Sequence, residues 1–116
     1  MTIQFETRGE TDLARLPASL LLANAATIRS ALQERIASGS GRLVLDLSQV
    51  EFADSSGLSA ILACVTNARR RGGDVALLSP MPRVRALVEL TRLDDVVAVV
   101  TNEAAAIARV NGRVAA

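Results

Sequence analysis

Apolar and polar residues alternate from Thr2 to Thr7, with Ile3 and Phe5 on one face and Gln4 and Glu6 on the other. That period of two predicts a half-buried strand. Arg8-Gly9-Glu10-Thr11 supplies a turn with a glycine. Asp12 to Leu16 predicts a second short strand with Leu13 and Leu16 inward, so the two should form a hairpin. Pro17-Ala18-Ser19 ends it, because proline cannot donate to a ladder. Leu20-Leu21-Leu22 fits strand or helix, and the pattern leaves it open. Ala25, Ile28, Leu32 and Ile36 then mark one face of a helix, with Asn24 as its cap. Gly39-Ser40-Gly41 stops that helix, and Arg29, Glu34 and Arg35 fall on its solvated face.

The stretch from Leu43 to Leu58 is the centre of the chain. Leu43 to Leu47 is almost wholly apolar, which predicts a strand covered on both faces. A polar loop leads to Asp54-Ser55-Ser56-Gly57. Leu58, Ile61, Leu62 and Val65 follow at helical spacing, so a helix is predicted from Ser55 to Arg71 with Gly72-Gly73 as its cap and turn. Asp74 to Leu78 predicts another strand. Ser79-Pro80 reads as a helix start, with Ser79 capping and Pro80 in the first turn, and Val84, Leu87, Val88 and Thr91 give its face. Val96 to Val100 is rich in β-branched residues and predicts a strand. Thr101 to Val110 predicts a last helix with Ile107 and Val110 inward, ended by Asn111-Gly112, beyond which the chain is expected to fray.

Strands separated by helices pair in parallel through right-handed crossovers. The expected architecture is therefore α/β, one domain over 1–116, with a mixed sheet of about five strands and about four helices. No repeat, low-complexity tract or linker is visible.

Composition narrows the chemistry. Of the 116 residues half are apolar but only 2% are aromatic, so the core must be aliphatic. The formal net charge of +1 argues against a nucleic-acid surface. The single cysteine, Cys64, cannot close an internal disulfide and reads as a small hydrophobe. No secretory leader or bilayer-spanning run is visible, and a cytoplasmic protein without membrane insertion is expected. The chain contains no histidine, lysine, tyrosine or tryptophan. Histidine-activated nucleophiles, imidazole metal ligands and Walker-type phosphate lysines are thereby excluded. A binding module is expected, with no catalytic residue, cofactor or metal.

Several motifs have both a structural and a functional reading. Asp54-Ser55-Ser56-Gly57 can simply cap a helix. However, Gly57 in the first turn costs roughly 1 kcal/mol against alanine, which suggests that something, such as a docking kinase, approaches the backbone closely. Asp46 and Asp54 fit a phospho-accepting receiver domain by type, but the lysine such a domain requires is missing. Asp46 is better read as bonding to the loop backbone. Arg69-Arg70-Arg71 suits a helix C-terminus. Gly72-Gly73 follows a helix instead of leading into one, so it is a turn and no phosphate cradle.

The segment Leu45-Asp46-Leu47-Ser48-Gln49-Val50-Glu51-Phe52-Ala53-Asp54-Ser55-Ser56-Gly57-Leu58, with Gly72-Gly73-Asp74-Val75, Ser79-Pro80 to Leu87 and Thr91-Arg92-Leu93, resembles the STAS domain family, in particular the anti-sigma factor antagonists of bacterial partner switching. The resemblance runs from Leu13 to about Ile107. It implies that Ser55 is phosphorylated by an anti-sigma factor that is itself a GHKL-type serine kinase. It also implies that the unphosphorylated form binds this kinase and frees a sigma factor, and that a PP2C-type phosphatase resets the switch. Asp54, Ser55, Ser56, Gly57, Leu58 and Leu21 are the partner-binding positions it implies. One position departs from the family. Its Gly-Glu-Leu-Asp-like loop corresponds here to Ala18-Ser19-Leu20-Leu21, so leucine replaces the acidic residue. Either the partner offers an apolar surface, or the chain has left the kinase circuit; the alternative for Leu20 to Leu22, favoured over an exposed patch, is that they are simply core. The competing readings are a scaffold STAS domain in a stress-signalling or chemotaxis assembly, a STAS subunit of a lipid-transport ATPase complex, and a small nucleotide-binding or hydrolytic protein. The last is disfavoured by the missing lysine and histidine.

Overall fold

A computed structural model describes residues 3–112. The alternating start of the chain forms β1 (Gln4–Arg8), which turns at Gly9 into β2 (Thr11–Arg15). The two pair antiparallel, Gln4 opposite Arg15 and Arg8 opposite Thr11, as the hairpin pattern predicts. β4 (Arg42–Asp46), β6 (Asp74–Leu78) and β7 (Ala98–Val100) follow in parallel, giving the sheet order β1-β2-β4-β6-β7. Two short strands, β3 (Ser19–Leu20) and β5 (Phe52–Ala53), pair in parallel as a separate ribbon. The helices are α1 (Leu22–Ser38), α2 (Ser55–Arg70), α3 (Pro82–Leu90) and α4 (Glu103–Val110). The expected mixed α/β fold of five main strands and four helices is thus the one observed. Thr2 at the predicted start of β1, and the predicted fraying of the last residues, lie outside the described residues.

Strand alternation divides the core in two. Leu43, Leu45, Val75 and Leu77 point toward α1, α2 and α3 and pack with Ile28, Leu32, Ile61, Val65 and Val88. Leu13, Val44, Ala76 and Leu78 point the other way and meet Ala106 and Val110 of α4. The central strands are covered on both faces, which is why they read as continuous apolar runs. At the α2–β6 turn, a Cβ on Gly73 would sit 2.0 Å from the carbonyl oxygen of Gly41, so only glycine fits there.

The structure corrects the sequence reading at several places. The N-cap of α1 is Leu21, not Asn24. Asn24 lies one turn in. Its Oδ1 accepts the Leu21 amide at 2.9 Å and its Nδ2 donates to the Ser19 carbonyl at 2.7 Å. Arg35 leaves the solvated face of α1 to bond the buried Asp12 at 3.1 Å and to lie over the Phe5 ring at 4.9 Å. α3 begins at Pro82 with Met81 as N-cap, not at Ser79-Pro80. Ser79 has φ +50 and its amide donates to the Val100 carbonyl at 2.8 Å, which holds it against β7. Thr91 falls beyond the α3 face as the C-cap. The last strand starts at Ala98, because Arg92 takes a left-handed conformation and Leu93–Asp95 wind into a 3-10 helix first. On α2 the inward stripe is Leu58, Ile61, Cys64, Val65 and Ala68, while Leu62 faces out.

Candidate functional site

The site forms where β5 hands the chain to α2. Asp54 is the N-cap of α2, in extended backbone, and its Oδ1 accepts the Gly57 amide at 3.1 Å. Its Oδ2 accepts the Leu22 amide at the start of α1, also at 3.1 Å. Bonds from the Gly57, Leu22 and Ser56 amides favour the ionised form, so its carboxyl is held below the usual carboxylate range. Asp54 therefore has a structural duty between two helix N-termini.

Ser55 is the first residue of α2 and is exposed. Ser56 is half-buried and turns toward the seam between α1 and α2, where it lines a cavity of 290 Å³ with Arg29 and Ser59. Gly57 is buried, and a Cβ there would stand 2.0 Å from the Leu20 carbonyl oxygen. The close approach that its presence suggested is internal: β3 passes directly beneath α2. Leu58 is 5% exposed and belongs to the core, so its side chain supports the site from below and does not reach the surface.

The three leucines before α1 divide. Leu20 is fully buried, Leu21 is partly buried at the cap, and Leu22 is 75% exposed. Phe52, two residues before Asp54, is 50% exposed. Sequence reasoning named Leu21 and missed Leu22 and Phe52. The unusual exposure of large apolar residues was the available signal, but it can be read only once β3 and β5 are placed. Two exposed apolar residues therefore flank Asp54: Leu22, whose amide it accepts, and Phe52, two residues before it in the chain.

Asp46 stands apart from this site. It is buried, accepts the Ser48 amide at 2.9 Å and lies 3.6 Å from Arg15, consistent with its reading as a loop-bonding residue. Among the described residues no group of acids, cysteines or histidines could hold a metal ion, and no helix is long and apolar enough to cross a membrane.

Comparison with known proteins agrees with this geometry. A family model described as the STAS domain matches residues 2–106. A Thermotoga neapolitana protein named as a candidate anti-sigma factor antagonist is 35% identical over 75 residues, which cover 65% of this chain and 66% of that protein. BtrV of Bordetella bronchiseptica, named in the same way, is 29% identical over 86 residues, 74% of each. The anti-sigma factor antagonist SpoIIAA in its unphosphorylated form superposes with a TM-score of 0.79 at 28% identity, covering 97% of this chain and 99% of SpoIIAA. Its phosphorylated form, from Bacillus, superposes at 0.71 and 25% identity, covering 94% and 99%. With its family-model match, its sheet order and its Asp-Ser-Ser-Gly helix start, this chain belongs to the STAS domain family.

Proposed function

We propose that this protein is an anti-sigma factor antagonist. In its unphosphorylated form it binds and sequesters a GHKL-type serine kinase that is also an anti-sigma factor, and so releases a sigma factor in the cytoplasm. Phosphorylation of Ser55 ends that binding, and a PP2C-type phosphatase restores it. The observation that carries the reading is the division of labour within the motif. Asp54 and Gly57 are occupied in holding the fold, whereas Ser55 is exposed at the helix N-terminus, directly after the Asp54 that bonds the Leu22 amide. Support also comes from the relatives named for this role and from SpoIIAA, whose structures include both an unphosphorylated and a phosphorylated form.

The physics of the switch is local. Phosphoserine carries about −1.5 to −2 charges at neutral pH. The positive dipole end at the α2 N-terminus tolerates it within the domain. In a packed interface the same charge would be desolvated next to two apolar side chains and an ionised Asp54, which opposes binding. The fold need not change for the partner to leave.

A second reading keeps the interaction surface without the switch: a scaffold or regulatory STAS subunit of a stress-signalling, chemotaxis or lipid-transport assembly. It is favoured by Leu21 at the position where the family resemblance implies an acidic residue, with the exposed Leu22 next to it. Capture from native lysate with wild-type, Ser55→Ala and Ser55→Asp baits separates the two. Retention of a GHKL-type kinase by wild type and Ser55→Ala, with loss by Ser55→Asp, supports the switch. Equal capture of the same scaffold or transporter proteins by all three overturns it.

A further inference from the structure

A groove runs along the outer seam of α1 and α2. It consists of three adjoining concavities of 290, 390 and 400 Å³ that share Arg29 and Ser59 at one junction and Gln33, Asn67 and Arg70 at the next. Its length follows that of α2, whose 16 residues span about 24 Å. Alanines line every part of it, Ala25, Ala26 and Ala60 near the Ser55 end, then Ala63 and Ala37. Arg29, Arg70 and Arg71 border it, and no acidic residue lines any of the three parts. α2 contains no Asp or Glu at all, and the one acid of α1, Glu34, lies on its other flank near Phe5 and Arg35. Among the described residues neither Arg29 nor Arg70 makes an ion pair.

Arg70 and Arg71 lie at the C-terminus of α2, where cations suit the dipole. Arg29 lies mid-way along α1, where the dipole gives no reason for it. A shallow groove with alanines along it, between the guanidinium groups of Arg29 and Arg70, matches a helix that presents small apolar side chains on one face and carboxylates along both borders. Helix-in-groove docking uses such a stripe, and arginine pairs with carboxylates in a forked geometry.

We propose that the α1–α2 seam is a docking groove for an acidic amphipathic helix of a partner protein. The test uses the full Ser55→Ala chain, so that phosphorylation plays no part, and amide NMR shifts as the readout. The probe is a synthetic helical peptide with an alanine and leucine stripe flanked by glutamates. Comparisons are the same peptide with lysines for glutamates, polyglutamate, a DNA duplex and phosphatidylserine vesicles. The expected result is shifts confined to the seam faces of α1 and α2 with the acidic helix. Arg29→Glu with Arg70→Glu should weaken binding at least about tenfold, whereas Arg83→Glu on α3 should not. The proposal is overturned if the acidic helix leaves the seam unshifted, if the lysine peptide or polyglutamate acts equally, if DNA or vesicles bind the seam more tightly, or if the shifts track self-association of the chain. None of these results bears on whether Ser55 is a switch.

Discussion

The Leu22 amide at the start of α1 donates to the Asp54 carboxylate at 3.1 Å, and the other oxygen of that carboxylate caps α2 through the Gly57 amide. One side chain therefore faces the positive ends of two helix dipoles. Because the bonds hold its folded-state pKa below the ordinary value, Asp54 stabilises the fold fully above about pH 4. That contribution is lost as pH falls through the lower folded-state value. Asp54→Asn should lower the urea midpoint at neutral pH and flatten its fall in acid. It should also speed hydrogen exchange at Leu22 and Gly57 together. An unchanged acid limb would contradict this role.

Gly57→Ala should destabilise the protein even though alanine is the better helix former by roughly 1 kcal/mol. The new Cβ would lie 2.0 Å from the Leu20 carbonyl oxygen and 2.6 Å from the Leu20 Cγ. Overpacking of this kind costs about 1–3 kcal/mol, read as a lower urea midpoint with the slope unchanged. A gain in stability would mean that β3 can retreat from α2.

The cap of α1 can be improved. Leu21 has no side-chain acceptor to offer the Ala23 amide of the first turn. Leu21→Asn should stabilise the fold by about 1 kcal/mol or less. Leu21→Asp should gain less, because its charge would stand beside Asp54, and the gap between the two variants should narrow as salt is added. An aspartate that stabilises more than asparagine at low salt would refute the repulsion.

Cys64 should be inert in the folded protein. It is 1% exposed, and burial pushes its thiol pKa up to about 12, so little thiolate exists at neutral pH. Reaction with a thiol reagent should follow global unfolding, with a rate that rises with denaturant. Fast labelling in native buffer would reveal a local opening of α2.

Local pattern carried much of the fold because most elements here announce themselves locally. Asp74–Leu78 is a strand at its predicted bounds, and Ala25, Ile28, Leu32 and Ile36 are the buried residues of α1. What escaped depends on neighbours distant in sequence. Leu20, Leu21 and Leu22 look alike, yet pairing of Leu20 with Ala53 sends the first inward, the second to a cap and the third into solvent. Ser79-Pro80 has the signature of a helix start, but the Val100 carbonyl holds Ser79 and passes the start to Pro82. At the candidate site, the helix start with Asp54 as cap and Ser55 as first residue was legible from type and spacing. The second bond of Asp54, to Leu22, was not, since nothing local to either residue implies it.

Among the described residues, the sheet face formed by Leu13, Val44, Ala76 and Leu78 is closed by α4 alone, the last helix. During synthesis that face remains bare after every strand has left the ribosome. Most of the sheet can be assembled in a nascent chain while half its core is still wet, a state open to chaperones and to other nascent chains. Stalled chains should therefore become protease-resistant only when Val110 clears the exit tunnel, with little protection at Val100. The timing of translation across the α4 codons, more than across those of the strands, would then govern how much of this protein reaches its folded state.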